Sequence, residues 1–291
     1  MKKNIITYIL LPALLLISVP TLMAQEEEPD MSPVRAPFNS GYLIDKQTMN
    51  IPYEKTLEFV IHHRFGTLDN GISDFFGLYA PSNIRMGLNY SVRSDLMIGI
   101  GATKNKKYTD LQWKWNIIEQ TRGGTIPLTV TYFGNAAIDG RSEDVLGEEF
   151  SLSNRASFFS ELILTRKFSY YFSMQASAHF SHFNKVQHGI EHDKAGVGVG
   201  ARYRVSPQSS IIATADLPLH IEGMQEYIPL NNKPEPNIGI GWEISTATHV
   251  FQIFAGNGYG ILNQDNVMYN QNDFTDGGWL LGFNITRLWS F

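Results

Sequence analysis

From Lys55 to the last residue, apolar and polar side chains alternate with a period of two in one segment after another. That period belongs to a β-strand with one apolar and one polar face. Leu57, Phe59, Ile61, His63 and Phe65 share one face, opposite Glu58, His62 and Arg64. Ile84, Met86, Leu88, Tyr90 and Val92 repeat the pattern, as do Leu111, Trp113, Trp115 and Ile117. Downstream it recurs in 170–181, 195–204 and 237–245, more weakly near 126–137, 155–166 and 208–217, and moderately in 249–257. With a closing segment, 278–291, the count is about twelve strands, in the range of membrane barrels.

The connections carry independent information. Tight links at Arg93-Ser94-Asp95, Lys167-Phe168-Ser169, Ser206-Pro207-Gln208 and Thr246-Ala247-Thr248 alternate with long ones near 66–83, 138–154, 182–193, 218–236 and 258–277. A bacterial barrel shows this order, with short periplasmic turns and longer outer loops. Two connections break it: the short outer turn around Lys104-Asn105-Lys106 and the longer inner turn 119–125. The expected fold is therefore all-β, a closed antiparallel transmembrane β-barrel spanning 55–291. A soluble sandwich or lipocalin-like barrel would instead bury Trp113, Trp115, Phe172 and Trp242 in a core.

Residues 1–24 read as a signal peptide: Lys2 and Lys3, an apolar run from Ile5 to Val19, then Thr21-Leu22-Met23-Ala24. No later run reaches the roughly 18 apolar residues of a membrane helix. Residues 25–54 are acidic and proline-containing, and read as a flexible periplasmic lead with little packed structure. These features point to the outer membrane of a Gram-negative bacterium. Charged residues are 18% and the net charge is -5, which does not suggest a nucleic-acid partner. With no cysteine, disulfides and thiolate zinc sites are excluded.

The stretches Phe59-Val60-Ile61-His62-His63-Arg64-Phe65-Gly66, Phe75-Phe76-Gly77-Leu78 and Asn83-Ile84-Arg85-Met86-Gly87-Leu88-Asn89-Tyr90 resemble a family of predicted bacterial outer-membrane β-barrels. The closing Gly282-Phe283-Asn284-Ile285-Thr286-Arg287 is similar to that family's last strand. The family is catalogued as a domain of unknown function, so the resemblance implies a fold and no chemistry.

Ten charged or titratable residues project to the expected lumen: His62, Arg64, Arg85, Lys114, Glu161, His179, Arg202, Arg204, Asp216 and Glu243. They read either as a constriction that selects solutes or as an ion-paired filling of the interior. Their signs are mixed, without the single-sign ladder of a strongly selective pore. His188-Gly189-Ile190-Glu191-His192 matches an inverted zinc-protease motif, but Gly189 and a loop setting oppose the required helix. Ser177 or Ser181 beside His179 offers a nucleophile and base with no assignable acid. Gly256-Asn257-Gly258-Tyr259-Gly260 reads as a flexible outer loop, and the apolar loop from Asn70 to Ser82 as a constriction or plug for the mouth, ahead of an aromatic anchor at the lipid interface.

No catalytic residue, metal or cofactor is expected. The leading reading is a narrow channel or transporter for a small solute. The second is a closed structural or docking barrel for a periplasmic or surface partner, and a membrane-embedded enzyme comes third. Outer-membrane lipid and, through the terminal Trp289 and Phe291, the barrel assembly machinery are the expected partners.

Overall fold

The computed structural model describes residues 29–146, 151–186, 190–219 and 233–291. Twelve strands form one closed antiparallel barrel. They are β3 (Thr56–Thr67), β4 (Asn83–Arg93), β5 (Leu96–Thr103), β6 (Thr109–Ile118), β7 (Thr129–Ile138) and β8 (Ala156–Lys167). They continue as β9 (Phe172–Phe183), β10 (Asp193–Arg204), β11 (Ser209–Pro218), β12 (Asn237–Ser245), β13 (His249–Gly256) and β14 (Leu280–Ser290). Each strand pairs with its chain neighbours, and β14 closes on β3 with Ile285 opposite Ile61. Closure leaves no strand edge whose N–H and C=O groups would go unpaired in lipid. No described helix is long and apolar enough to cross a membrane.

Alternation sorts the two faces. Met86, Leu88, Ile98, Ile100, Leu111, Trp115, Ile240, Trp242 and Ile253 stand exposed on the outside, an apolar belt. Glu58, His62, Arg64, Asn89, Gln112, Lys114, Gln175 and Gln252 are buried on the inside. This inverts the polarity of a soluble fold, as a wall between lipid and a polar interior requires.

The interior is filled by two pieces of chain that are not wall. Eight strands give an interior that wall side chains can fill, and sixteen or more leave a channel. Twelve leave room for a guest. One guest is the lead: a hairpin of β1 (Tyr42–Leu43) and β2 (Lys46–Gln47), whose Leu43 and Ile44 are fully buried. The other is the loop between β13 and β14, with helix α2 (Asn263–Tyr269); another short α-helix, α1 (Glu143–Leu146), lies between β7 and β8.

The structure corrects three expectations. From Phe38 to Met49 the lead is not loose. Residues 38–49 pack inside the barrel because Phe38, Leu43 and Ile44 meet the inward Ile212 and Phe254 in one apolar cluster. The apolar loop after β3 does not fill the mouth: Ile72 and Tyr79 are 83% and 79% exposed. Nor is 256–260 a loose loop, since Asn257 is fully buried and its amide donates to the Pro236 and Asn272 carbonyls at 2.7 Å.

The long inner turn has a purpose. Pro33 bridges to Thr121, and Val34, Arg122 and Gly123 exchange backbone bonds across the same seam. The turn 119–125 thus guides the lead to the barrel's short-turn end.

Candidate functional site

The lumen is built in tiers around the hairpin. At the entry, Arg202 and Glu243 pair at 3.1 Å across β10 and β12. Glu243 also accepts from the Asn39 amide (3.0 Å), and Arg202 donates to the Pro37 carbonyl (3.3 Å). Next, the Asn89 amide donates to Glu58 (2.7 Å), while Gln112 donates to the Tyr42 hydroxyl (2.8 Å). The Lys114 ammonium reaches the Gly41 carbonyl at 2.9 Å.

Deeper still, the hairpin's turn is the hub. Lys46 sits 2.5 Å from Asp216 and 3.1 Å from Glu161, and His179 Nε2 lies 2.5 Å from the other Asp216 oxygen. Asp45 pairs with Arg64, which also donates to Asn284 (3.0 Å). Arg85 forms a two-point pair with Asp110 at 2.9 and 2.6 Å. Buried charges persist when a counter-charge compensates them, and Lys46, Arg64, Arg85 and Arg202 each have a carboxylate partner.

The wall is shaped for the hairpin. A Cβ at Gly198 would collide with the Lys46 side chain, and one at Gly200 would stand 2.8 Å from Leu43 Cδ2. The turn itself is held under strain: Ile44, a β-branched residue, has φ +56. Such a conformation costs on the order of 1–3 kcal/mol. Its complete burial in the apolar cluster offsets that cost.

Helix α2 caps the hairpin from the long-loop end. Val267 seats against Phe133, Phe159 and Ile163 of β7 and β8. The Asn263 amide donates to the Asp45 carbonyl at 2.9 Å, joining the two guests, and Gln264 donates to Asn135 at 2.8 Å. Between them the voids near Tyr42 and His62 and near Lys46 and Asp216 are about 10 Å³ each, room for a single water. Above α2 a vestibule of about 790 Å³ opens among the long loops.

Nine of the ten candidate lumen residues are buried on the inward face; Arg204 is half-exposed at the rim, its guanidinium 4.4 Å from the Tyr170 ring centre. Together they do not line an open constriction, because most of them touch the hairpin or pair with residues that do. Sequence reasoning missed the other half of the network, Asp45 and Lys46, by leaving the lead unfolded. The available signal was glycine at three successive inward positions of β10, Gly196, Gly198 and Gly200, facing a lumen that nothing else filled.

The serine reading also changes. His179 does have an acidic partner, Asp216, but neither Ser177 Oγ nor Ser181 Oγ has a hydrogen-bond partner among the described residues. His179 therefore activates neither of these two serines. His188 and Gly189 of the H-x-x-E-H match lie outside the described residues, and no metal-binding group of three or more donors occurs among those described.

Residues 38–289 match the family described as a membrane bound beta barrel domain, DUF5777, and the chain belongs to it. The match begins at Phe38, so it includes the hairpin. No curated protein matches. Among solved structures, the NanC porin aligns with TM-score 0.48 at 8% identity over 81% of this chain and 98% of that one. A TodX monoaromatic hydrocarbon channel aligns at 0.39 and 8% identity, covering 82% and 90%. CdiB from Acinetobacter baumannii aligns at 0.31 and 9%, covering 81% and 60%. With identities this low, they are similar in outline and nothing more.

Proposed function

We propose that this member of the membrane-bound barrel family is a gated channel for a small solute, closed at rest by its own N-terminal segment. The observation that carries the reading is the hairpin's seat: a corridor stripped to glycine on β10 and filled by chain that is not wall. A barrel that needed only to be solid could have filled that side with larger inward side chains. The vestibule at the opposite end supplies a mouth. Export by the signal 1–24 would place residues 25–291 in the outer membrane of a Gram-negative bacterium, with short turns in the periplasm. The aromatic end Trp289–Phe291, exposed at the tip of β14, would serve the assembly machinery.

A second reading is a permanently sealed barrel that docks a partner. The density of ion pairs around Lys46 favours it. Planar-bilayer recordings of residues 25–291 separate the two. Ile44 Cγ2 lies 3.0 Å from where a Gly239 Cβ would be, so Ile44→Cys with Gly239→Cys brings two thiols together in a chain that has none. Discrete openings that vanish on oxidation and return with reductant are the expected result. A folded, inserted protein that never opens would leave only the sealed barrel.

A further inference from the structure

The vestibule wall contains a cation site that is already filled by the protein's own side chain. The Lys106 ammonium lies 3.8 Å from the centre of the Tyr269 ring, 5.6 Å from Tyr108 and 5.7 Å from Phe183. Phe183 and Tyr269 stand edge to face at 5.2 Å. Asp265 closes the fourth side, 2.8 Å from the ammonium, and accepts from the Tyr108 hydroxyl at 3.1 Å. Burial, with the Asp265 charge adjacent, holds both phenols above their ordinary pKa, so they remain neutral faces and donors. Three rings and one carboxylate are the chemistry that recognises an organic ammonium ion.

Lys106 reaches this cage from a turn in which both Lys106 and Lys107 have positive φ, +52 and +50. Neither is glycine, so the turn stores backbone strain. All five residues, Lys106, Tyr108, Phe183, Asp265 and Tyr269, line the 790 Å³ vestibule, so a solute entering it meets the cage directly. Exchange of one ammonium for another would never leave Asp265 buried without a counter-charge, and the departing lysine could relax its turn.

We propose that the vestibule binds amines with an apolar body, the ligand's ammonium taking the place of Lys106 in the cage. The apolar part would lie against Ala80, Pro81, Val145 and Tyr259 on the vestibule wall. The inference deepens the channel reading by naming a solute class, and it rests on that reading only for passage of the bound amine. Because Asp265 and Tyr269 belong to α2, the exchange would also remove one tether of the cap.

Calorimetry on the detergent-refolded protein, residues 25–291, tests it, with phenylethylammonium as probe and neutral 2-phenylethanol as control. Saturable binding of the amine alone is expected, at least tenfold tighter in Lys106→Ala and at least tenfold weaker in Asp265→Asn. Heat-modifiable migration checks that each variant is folded. Should Lys106→Ala not fold, the comparison of wild type with Asp265→Asn decides. No saturable binding to the wild type overturns the proposal, including the case in which only Lys106→Ala binds, for the cage is then a latch closed to solutes. Equal binding by wild type and Asp265→Asn overturns it too. The measurement involves no transport, so a failure of the channel reading would show in bilayer recordings and leave it untouched.

Discussion

Two walls of the same lumen hold their guests with different emphasis, although each guest has both apolar and polar contacts. Strands β10, β11 and β12 receive the hairpin with glycine hollows and a rim of charge: Lys46 on Asp216, Arg202 on Glu243. Strands β7 and β8 receive helix α2 with bulk, Phe133, Phe159 and Ile163 against Val267. The first contact is directional and fails as a unit, because each ion left behind is buried. The second is graded, losing energy with each buried carbon. On the gated-channel reading the hairpin would be in or out as a unit, whereas the helix would settle.

Four substitutions probe that contrast. Lys46→Ala should have the largest effect, since it leaves Glu161 buried without its cation and Asp216 with His179 alone. Breaking such a pair costs about 3–5 kcal/mol. The hairpin should leave, seen as persistent conductance with the barrel still folded. Next, Trp115→Arg on the exposed outer face should cost roughly 2–4 kcal/mol near the midplane and impair assembly while leaving the lumen chemistry intact. Normal heat-modifiable folding of that variant would contradict the assignment of faces.

Gly198→Val would put a side chain where Lys46 lies, at about 1–3 kcal/mol for overpacking. Open-channel events should become more frequent than in wild type. Val267→Ala should do least. Two buried carbons at roughly 0.8 kcal/mol each would lower the thermal stability slightly and leave conductance unchanged. If Val267→Ala opened the channel as fully as Lys46→Ala, the two walls would not differ in emphasis.

The wall was legible where one face is lipid and the other polar, as in Ile84–Val92 and Leu111–Ile117. It was faint near 126–137, 155–166 and 208–217 for a physical reason. There the inward positions are also apolar, Phe133, Phe159, Ile163 and Ile212, because each touches a guest. Weak alternation was thus a footprint of the plug. The two irregular turns both touch the filling of the lumen: 119–125 pairs with the lead, and 104–107 brings Lys106 to the Tyr269 ring. The hairpin was hidden because strands as short as Tyr42–Leu43 and Lys46–Gln47 carry no periodicity, and their partners on the wall lie far along the chain, as Gln175 does from Gln47.

A gate made of the N-terminal hairpin requires that hairpin to lie inside the closed barrel. Thr48 is fully buried there, its hydroxyl donating to the Ser40 carbonyl at 2.6 Å, whereas Tyr53, a short way along the chain, is 70% exposed. The natural chain has no cysteine, so Thr48→Cys and Tyr53→Cys each report alone on reaction with a bulky, membrane-impermeant maleimide. Rapid labelling at position 53, with position 48 protected until the barrel is denatured, is the predicted result. Equal, rapid labelling of both in the folded protein would contradict it.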